Sequence, residues 1–193
     1  MRKLQITLPA LLALALALAG CGMLFAEVEI PSATITLKSQ TFPATLAGVP
    51  LVKTVTFPIG SDLSIITEKG VTFELRLLQM AVVLATTSPM GDFGDIESVT
   101  ISVLPPPGQT LPEETIVASY SKAPPPADQN PTSITVAAMS NLDLAPYILG
   151  GDLTLKFTAV SVLGGFIPEW KADVGGVFYL KVRLDYLEAA KAK

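Results

Sequence analysis

The segment 178–186 alternates without a break. Phe178, Leu180, Val182, Leu184 and Tyr186 fall on one side, and Tyr179, Lys181, Arg183 and Asp185 on the other. Successive side chains of a strand point to opposite faces, so a period of two marks a strand with one face in a core and the other in water. A helix places neighbours three and four residues apart and cannot produce this order. The pattern recurs in Val99, Ile101 and Val103 against Thr100 and Ser102. It returns more weakly in Ile134, Val136 and Ala138, in Ile35 and Leu37, and in Val55 and Phe57 against Thr54 and Thr56.

Two segments change phase part way. Val71, Phe73, Leu75 and Leu77 occupy odd positions, and then Met80, Val82 and Leu84 occupy even ones. Leu153, Leu155 and Phe157 give way to Val160 and Val162. One extra residue in a strand moves every later side chain to the other face, so the phase changes predict β-bulges near Leu77–Leu78 and near Ala159. A long strand crossing from one sheet to the other would give the same pattern. Leu, Met and Ala also favour helices, which makes a short buried helix the competing reading of Leu75 to Ala85. Val82, Val83 and the exit through Thr86-Thr87 favour a strand.

Breakers separate these runs. Leu104-Pro-Pro-Pro-Gly108 and Ala123-Pro-Pro-Pro-Ala127 cannot lie inside a sheet, because proline fixes φ and lacks an N–H donor. Stiff extended loops at the ends of a sandwich are expected there. Asp143-Leu-Ala-Pro146-Tyr-Ile-Leu-Gly150 reads as one or two helical turns, with Asp143 at the start and Gly150 at the end. About nine strands separated by turn signals predict an all-β fold, an antiparallel β-sandwich. It is immunoglobulin-like only loosely. Immunoglobulin domains pack a tryptophan on a cysteine pair, whereas this chain holds one cysteine and a late Trp170.

The first residues have a different character. Arg2 and Lys3 precede an apolar run from Leu4, which closes on Leu18-Ala19-Gly20-Cys21. A basic start, an apolar stretch and a small-residue cleavage site make a secretory signal. The run from Leu4 to Ala19 is shorter than the roughly 20 residues of a bilayer span. With the only cysteine directly after the small pair, the segment resembles the lipobox of bacterial lipoproteins. That resemblance implies that Cys21 becomes the first residue of the mature chain and carries acyl chains such as palmitate. Each buried CH₂ contributes about 0.8 kcal/mol, so two or three chains hold a protein on a membrane nearly permanently. In better-known lipoproteins an Asp after the cysteine retains the protein at the inner membrane. Gly22 stands here, which implies the outer membrane of a bacterial cell envelope, on either its periplasmic or its surface face. The organisation expected is a signal at 1–20, the lipidated cysteine and a short tether at 21–27, one β-sandwich at 28–187, and a tail at 188–193.

Charge narrows the partners. Loss of Arg2 and Lys3 with the signal leaves eleven basic residues against 17 acidic ones, a net charge of −6. Nucleic-acid binding needs a basic footprint, so none is expected. Acylation of Cys21 also leaves no thiol for a disulfide, and none is needed in a domain of this size.

The chain has no histidine, which removes the commonest general base and metal ligand. Ser119-Tyr-Ser-Lys122 matches the S-x-x-K element of penicillin-recognising enzymes, but its companion motifs are missing and Pro124 follows at once. Asp92-Phe93-Gly94 matches the kinase magnesium tripeptide without the H-R-D that kinases need. Asp92, Asp95 and Glu97 in a glycine-punctuated loop are the best candidates for a calcium site, but they lack the EF-hand spacing, and a solvated turn is the favoured reading because Asp and Gly are ordinary turn residues. No catalytic residue and no cofactor is expected. Phe166, Ile167 and Trp170 stand between two predicted strands. Exposed together they would make an interaction patch; turned inward, Trp170 would plug one end of the sandwich. The reading that follows is a non-enzymatic, membrane-anchored envelope lipoprotein, tethered through lipid at Cys21 and acting as a structural or protein-interaction module with an envelope protein as partner. The alternative is a carrier or sensor of an apolar ligand in a barrel-like cavity.

Overall fold

The structure, a computed structural model, describes residues 25–46, 48–59, 71–125, 127–139, 141–149, 151–162 and 166–185. Eight long strands carry the fold: β1 (Phe25–Phe42), β3 (Leu51–Pro58), β4 (Val71–Leu84), β5 (Ile96–Val103), β6 (Thr115–Ser121), β7 (Ser133–Ala137), β9 (Asp152–Ser161) and β11 (Trp170–Asp185). Three two-residue strands complete the order, β2 (Thr45–Leu46), β8 (Ile148–Leu149) and β10 (Phe166–Ile167). One sheet runs β1-β11-β4-β7 and the other β3-β9-β5-β6, with β8 on β9 and a separate β2/β10 pair. Every pairing is antiparallel. The architecture is the antiparallel β-sandwich that the alternation predicts.

The sandwich encloses one core because each long strand turns its apolar row inward. Phe57, Val103, Leu153, Leu155, Phe178 and Leu180 have no solvent exposure at all. Phe57 and Phe178 meet edge to face across the two sheets, with ring centroids 5.9 Å apart. The β1 to β11 ladder extends from Phe25 opposite Asp185 to Phe42 opposite Trp170. The long axis of this sheet therefore has two distinct ends, a Phe25 end and a Trp170 end.

The phase change in β4 is a bulge. Gln79 pairs with Val177 and Leu77 with Phe178, which leaves Leu78 as the extra residue. Leu75 and Leu77 are buried before it, Met80 and Val82 after it, and Leu78 itself is 41% exposed. No helix forms in this segment. The bulge expected near Ala159 does not exist. β9 pairs with β3 without a shift, and its buried positions alternate through to Ser161. Val160 is an outward residue, and the inward place that the pattern assigns to an apolar side chain is taken by Ser161. The nearby irregularity belongs to β5, where Glu97 is the unpaired residue.

The turn predicted at 143–150 is a single 3₁₀ turn, Ala145–Tyr147. The Asp143 carboxylate accepts hydrogen bonds from Ala145 N–H and from Leu75 N–H, both at 3.0 Å. It ties the turn to β4 as well as starting it. Gly150 lies outside the described residues, as do Cys21 and the whole signal segment. β1 begins at Phe25, so residues expected in the tether are strand. Pro105 to Pro107 and Pro124 and Pro125 lie outside the strands.

β1 departs from regular pairing at Pro31-Ser32 and again at Lys38-Ser39. At the second site Ser39 has φ of 50°. Asp173 of β11 stabilises it by accepting Ser39 N–H at 2.9 Å and Lys38 Nζ at 2.6 Å. The Lys38 ammonium first, and then the Ser39 amide, hold the Asp173 carboxyl below its ordinary range. A carboxylate lowered in this way stabilises the fold above its unfolded pKa of about 3.9 and loses that contribution as pH falls through the folded value. Asp173→Ala should cost about 1–2 kcal/mol at pH 7, and the gap between wild type and variant should close below about pH 4. Urea melts at a series of pH values measure this, and a gap independent of pH would exclude the carboxylate as its source.

Candidate functional site

The Trp170 end is built from three aromatic rings. Strand pairing sets Trp170 beside Phe42, and their rings stack at 3.9 Å with planes 3° apart. Phe93, from the loop before β5, meets Trp170 edge-on at 5.4 Å. All three are buried. Trp170 is thus the inward plug, and Ile167, 2% exposed, turns inward too. The patch imagined from Phe166, Ile167 and Trp170 is not formed by the latter two; the side chain of Phe166 lies outside the described residues. The cause is the pairing of Ile167 with Thr45 in β10/β2, which folds this segment over the end of the core.

The loop 90–95 lies at the same end. The Asp92 carboxylate accepts Gly94 N–H at 2.7 Å, and Phe93 N–H is bonded to Pro131 O at 2.7 Å. Lys122 Nζ donates to Gly94 O at 2.7 Å. A methyl carbon added at Gly94 would lie 2.5 Å from Asn130 Oδ1 and 2.7 Å from Asp92 Oδ1, so the loop closes tightly on itself there. Asp92 is thus committed to its own turn, while Asp95 and Glu97 are exposed. Among the described residues no three carboxylates gather into a set able to hold a metal. The calcium candidate is an Asx-type turn. Lys122 serves this loop and Ser119 is an exposed residue of β6, so the S-x-x-K match brings no nucleophile to a base.

What the Trp170 end presents outward is apolar. The turn from β2 to β3 exposes Leu46 at 65% and Val49 at 50%, and β3 continues with Val52 at 48%. Val49 N–H donates to Leu46 O at 3.1 Å, and Thr45 Oγ1 donates to Val49 O at 3.0 Å, so the turn is held in one shape. Val162, 45% exposed, follows β9 at this end, its N–H bonded to Asp95 O at 2.9 Å. Asp95, Glu97 and Glu169 are also exposed. The turn is fixed and its exposed tips are apolar. The sequence pattern passes over Leu46 and Val49, which stand in a turn with no alternation, whereas Val52 shares the outward parity of Thr54 and Thr56. The one available signal is Gly48, whose φ of 75° marks a tight turn.

The Phe25 end differs. Glu27 and Glu29 of β1 form ion pairs with Lys181 of β11 at 2.8 and 3.5 Å. Glu74 pairs with Arg76, and the Arg76 guanidinium sits 5.7 Å from the centre of the Tyr179 ring. Hydrogen bonding of its ammonium to the Glu27 carboxylate is the main cause that pushes Lys181 above its ordinary range. Charges of both signs cancel across these strands.

Inside, a cavity of about 20 Å³ lies among Phe42, Val82, Phe93, Ile134, Phe157 and Trp170. That is room for about one water molecule.

No protein-family model matches the chain, and no curated protein does. Among solved structures it is similar to that of Desmodium yellow mottle tymovirus, at 14% identity over 84% of this chain and 89% of that one, with a TM-score of 0.39. It is also similar to that of turnip yellow mosaic virus, at 10% identity over 83% and 82% of the two chains, with a TM-score of 0.34. Neither score is high enough for the two folds to be equated.

Proposed function

We propose that this chain is a lipid-anchored envelope lipoprotein, non-enzymatic, that holds a protein-binding surface away from its membrane. One observation carries the reading: β1 starts at Phe25 and ends at Phe42, the end where Leu46 and Val49 are exposed. Cys21 stands four residues before Phe25. Such a stretch spans at most about 14 Å, so acyl chains on Cys21 would hold the Phe25 end against the bilayer. β1 then runs for about 50–60 Å if fully extended. The apolar turn would face outward, toward a second envelope protein. The mutually paired charges at the Phe25 end fit a surface that lies near headgroups without depending on lipid charge. The carrier alternative has less support, because apolar ligands need several hundred cubic ångströms.

The anchor is tested in cells fed an alkynyl fatty acid. The native chain should take up the label and pellet with membranes. Cys21→Ala should lose the label completely and abandon the membrane fraction. A labelled or membrane-bound Cys21→Ala chain would sink the proposal.

A further inference from the structure

The described residues hold three methionines, in three different surroundings, and no cysteine. Met80 has no solvent exposure, and Met90 is half-buried against the core. Met139 is 63% exposed. Its backbone is nevertheless fixed. Met139 N–H donates to Val117 O at 2.8 Å, Ala138 N–H donates to Leu78 O at 2.9 Å, and Ala138 bridges to Ala118. These bonds tie the exit of β7 to β4 in its own sheet and to β6 in the other. Leu78 and Ile116, the residue before Val117, are exposed as well. The join is made by main-chain groups, and it does not depend on what the Met139 side chain carries.

With no thiol among the described residues, methionine sulfur is their readiest site of oxidation. A sulfur lone pair attacks one oxygen of a hydroperoxide. The S–O bond forms as the O–O bond breaks, and sulfur is oxidised by two electrons. The proton on the transferred oxygen passes to the leaving oxygen, which departs as water or an alcohol. The sulfoxide left behind is polar. At Met80 it would place an unpaired oxygen among apolar side chains, which is strongly unfavourable. At Met139 the same oxygen stands in water.

We infer that Met139 is a reversible oxidation site. It takes one oxygen from a hydroperoxide while the chain stays folded, and gives it up to a thiol-dependent methionine sulfoxide reductase. In that return step a dithiol is oxidised to a disulfide, sulfur is reduced by two electrons, and the oxygen leaves as water. The modification turns the most exposed of the three side chains at this join from apolar to polar and back, while the backbone bonds between the sheets remain closed. It requires nothing of Cys21 and stands apart from the anchor.

The full chain, purified in detergent, is treated with dilute hydrogen peroxide and sampled over time by peptide mass spectrometry. Met139 should gain oxygen at least about tenfold faster than Met80, and faster than Met90. Circular dichroism should keep its native β-sheet form when position 139 is fully converted. Methionine sulfoxide reductases of both stereospecific classes, with dithiothreitol, should then restore Met139 without denaturant. Met139→Leu should fold and lose the rapid uptake at this position. Met139→Gln, which imitates the polarity of the sulfoxide, should keep the native spectrum. Oxidation of Met80 or Met90 at the rate of Met139 would overturn the proposal. So would loss of the native spectrum on oxidation of Met139 or in Met139→Gln, or a sulfoxide at 139 that the reductases reach only after denaturation.

Discussion

Trp170→Ala is expected to cost about 3–5 kcal/mol and to lower the melting temperature by about 10–15 °C. The indole stacks on Phe42 at 3.9 Å and receives Phe93 edge-on at 5.4 Å, so truncation strips two aromatic neighbours of their contact at once. The site cannot collapse to fill the space, because Phe42 is fixed in β1 and Trp170 in β11 by their ladder. The loss also enlarges the cavity that these rings already border. Trp170→Phe should behave differently. Trp170 Nε1 is buried with no hydrogen-bond partner among the described residues, and phenylalanine removes that unsatisfied donor while keeping a ring. A buried donor without a partner costs about 1–3 kcal/mol, so much of the lost packing is offset and the net change should stay within about 1.5 kcal/mol. Thermal melts of the two variants measure the difference. Equal losses would mean that ring packing at this end does not set stability.

Gly176→Val is expected to be of similar severity for the opposite reason. β11 carries Gly175 and Gly176 in the middle of a long strand, where glycine is ordinarily weakening. A Cβ on Gly176 would lie 2.5 Å from Phe178 Cε2 and 3.3 Å from Met80 Sδ. The Phe178 ring occupies the side-chain space of Gly176, and it has nowhere to retreat because it is fully buried against Phe57. Overpacking of this kind costs about 1–3 kcal/mol for a single methyl and more for a branched side chain. Gly176→Ala should therefore fall in that range and Gly176→Val beyond it. Gly175 provides the control. Its nearest neighbours to an added Cβ are Thr36 Oγ1 at 3.5 Å and Ala81 O at 3.9 Å, ordinary contact distances. Gly175→Ala should be neutral or slightly stabilising in urea titrations, and a loss there as large as at Gly176 would refute the steric account.

The sequence by itself determined the strands and their faces. A period of two is a local property, imposed by the pleat on each residue whatever its partner, so Phe178 to Val182 and Val99 to Val103 declare their inward sides without reference to the rest of the chain. The bulge at Leu78 was legible for the same reason, since an extra residue changes parity on the strand that holds it. The supposed bulge at Ala159 shows the limit. Val160 and Val162 are apolar yet outward, and composition cannot tell an exposed valine from an inward one when Ser161 takes the core position. Tertiary structure alone decided which strands became edges, that Trp170 meets Phe42 and Phe93, that Gly176 makes room for Phe178, and that Leu46 and Val49 stand exposed at one end. Each depends on contacts between residues far apart in the chain, whose pairing is set by how the two sheets close on one core.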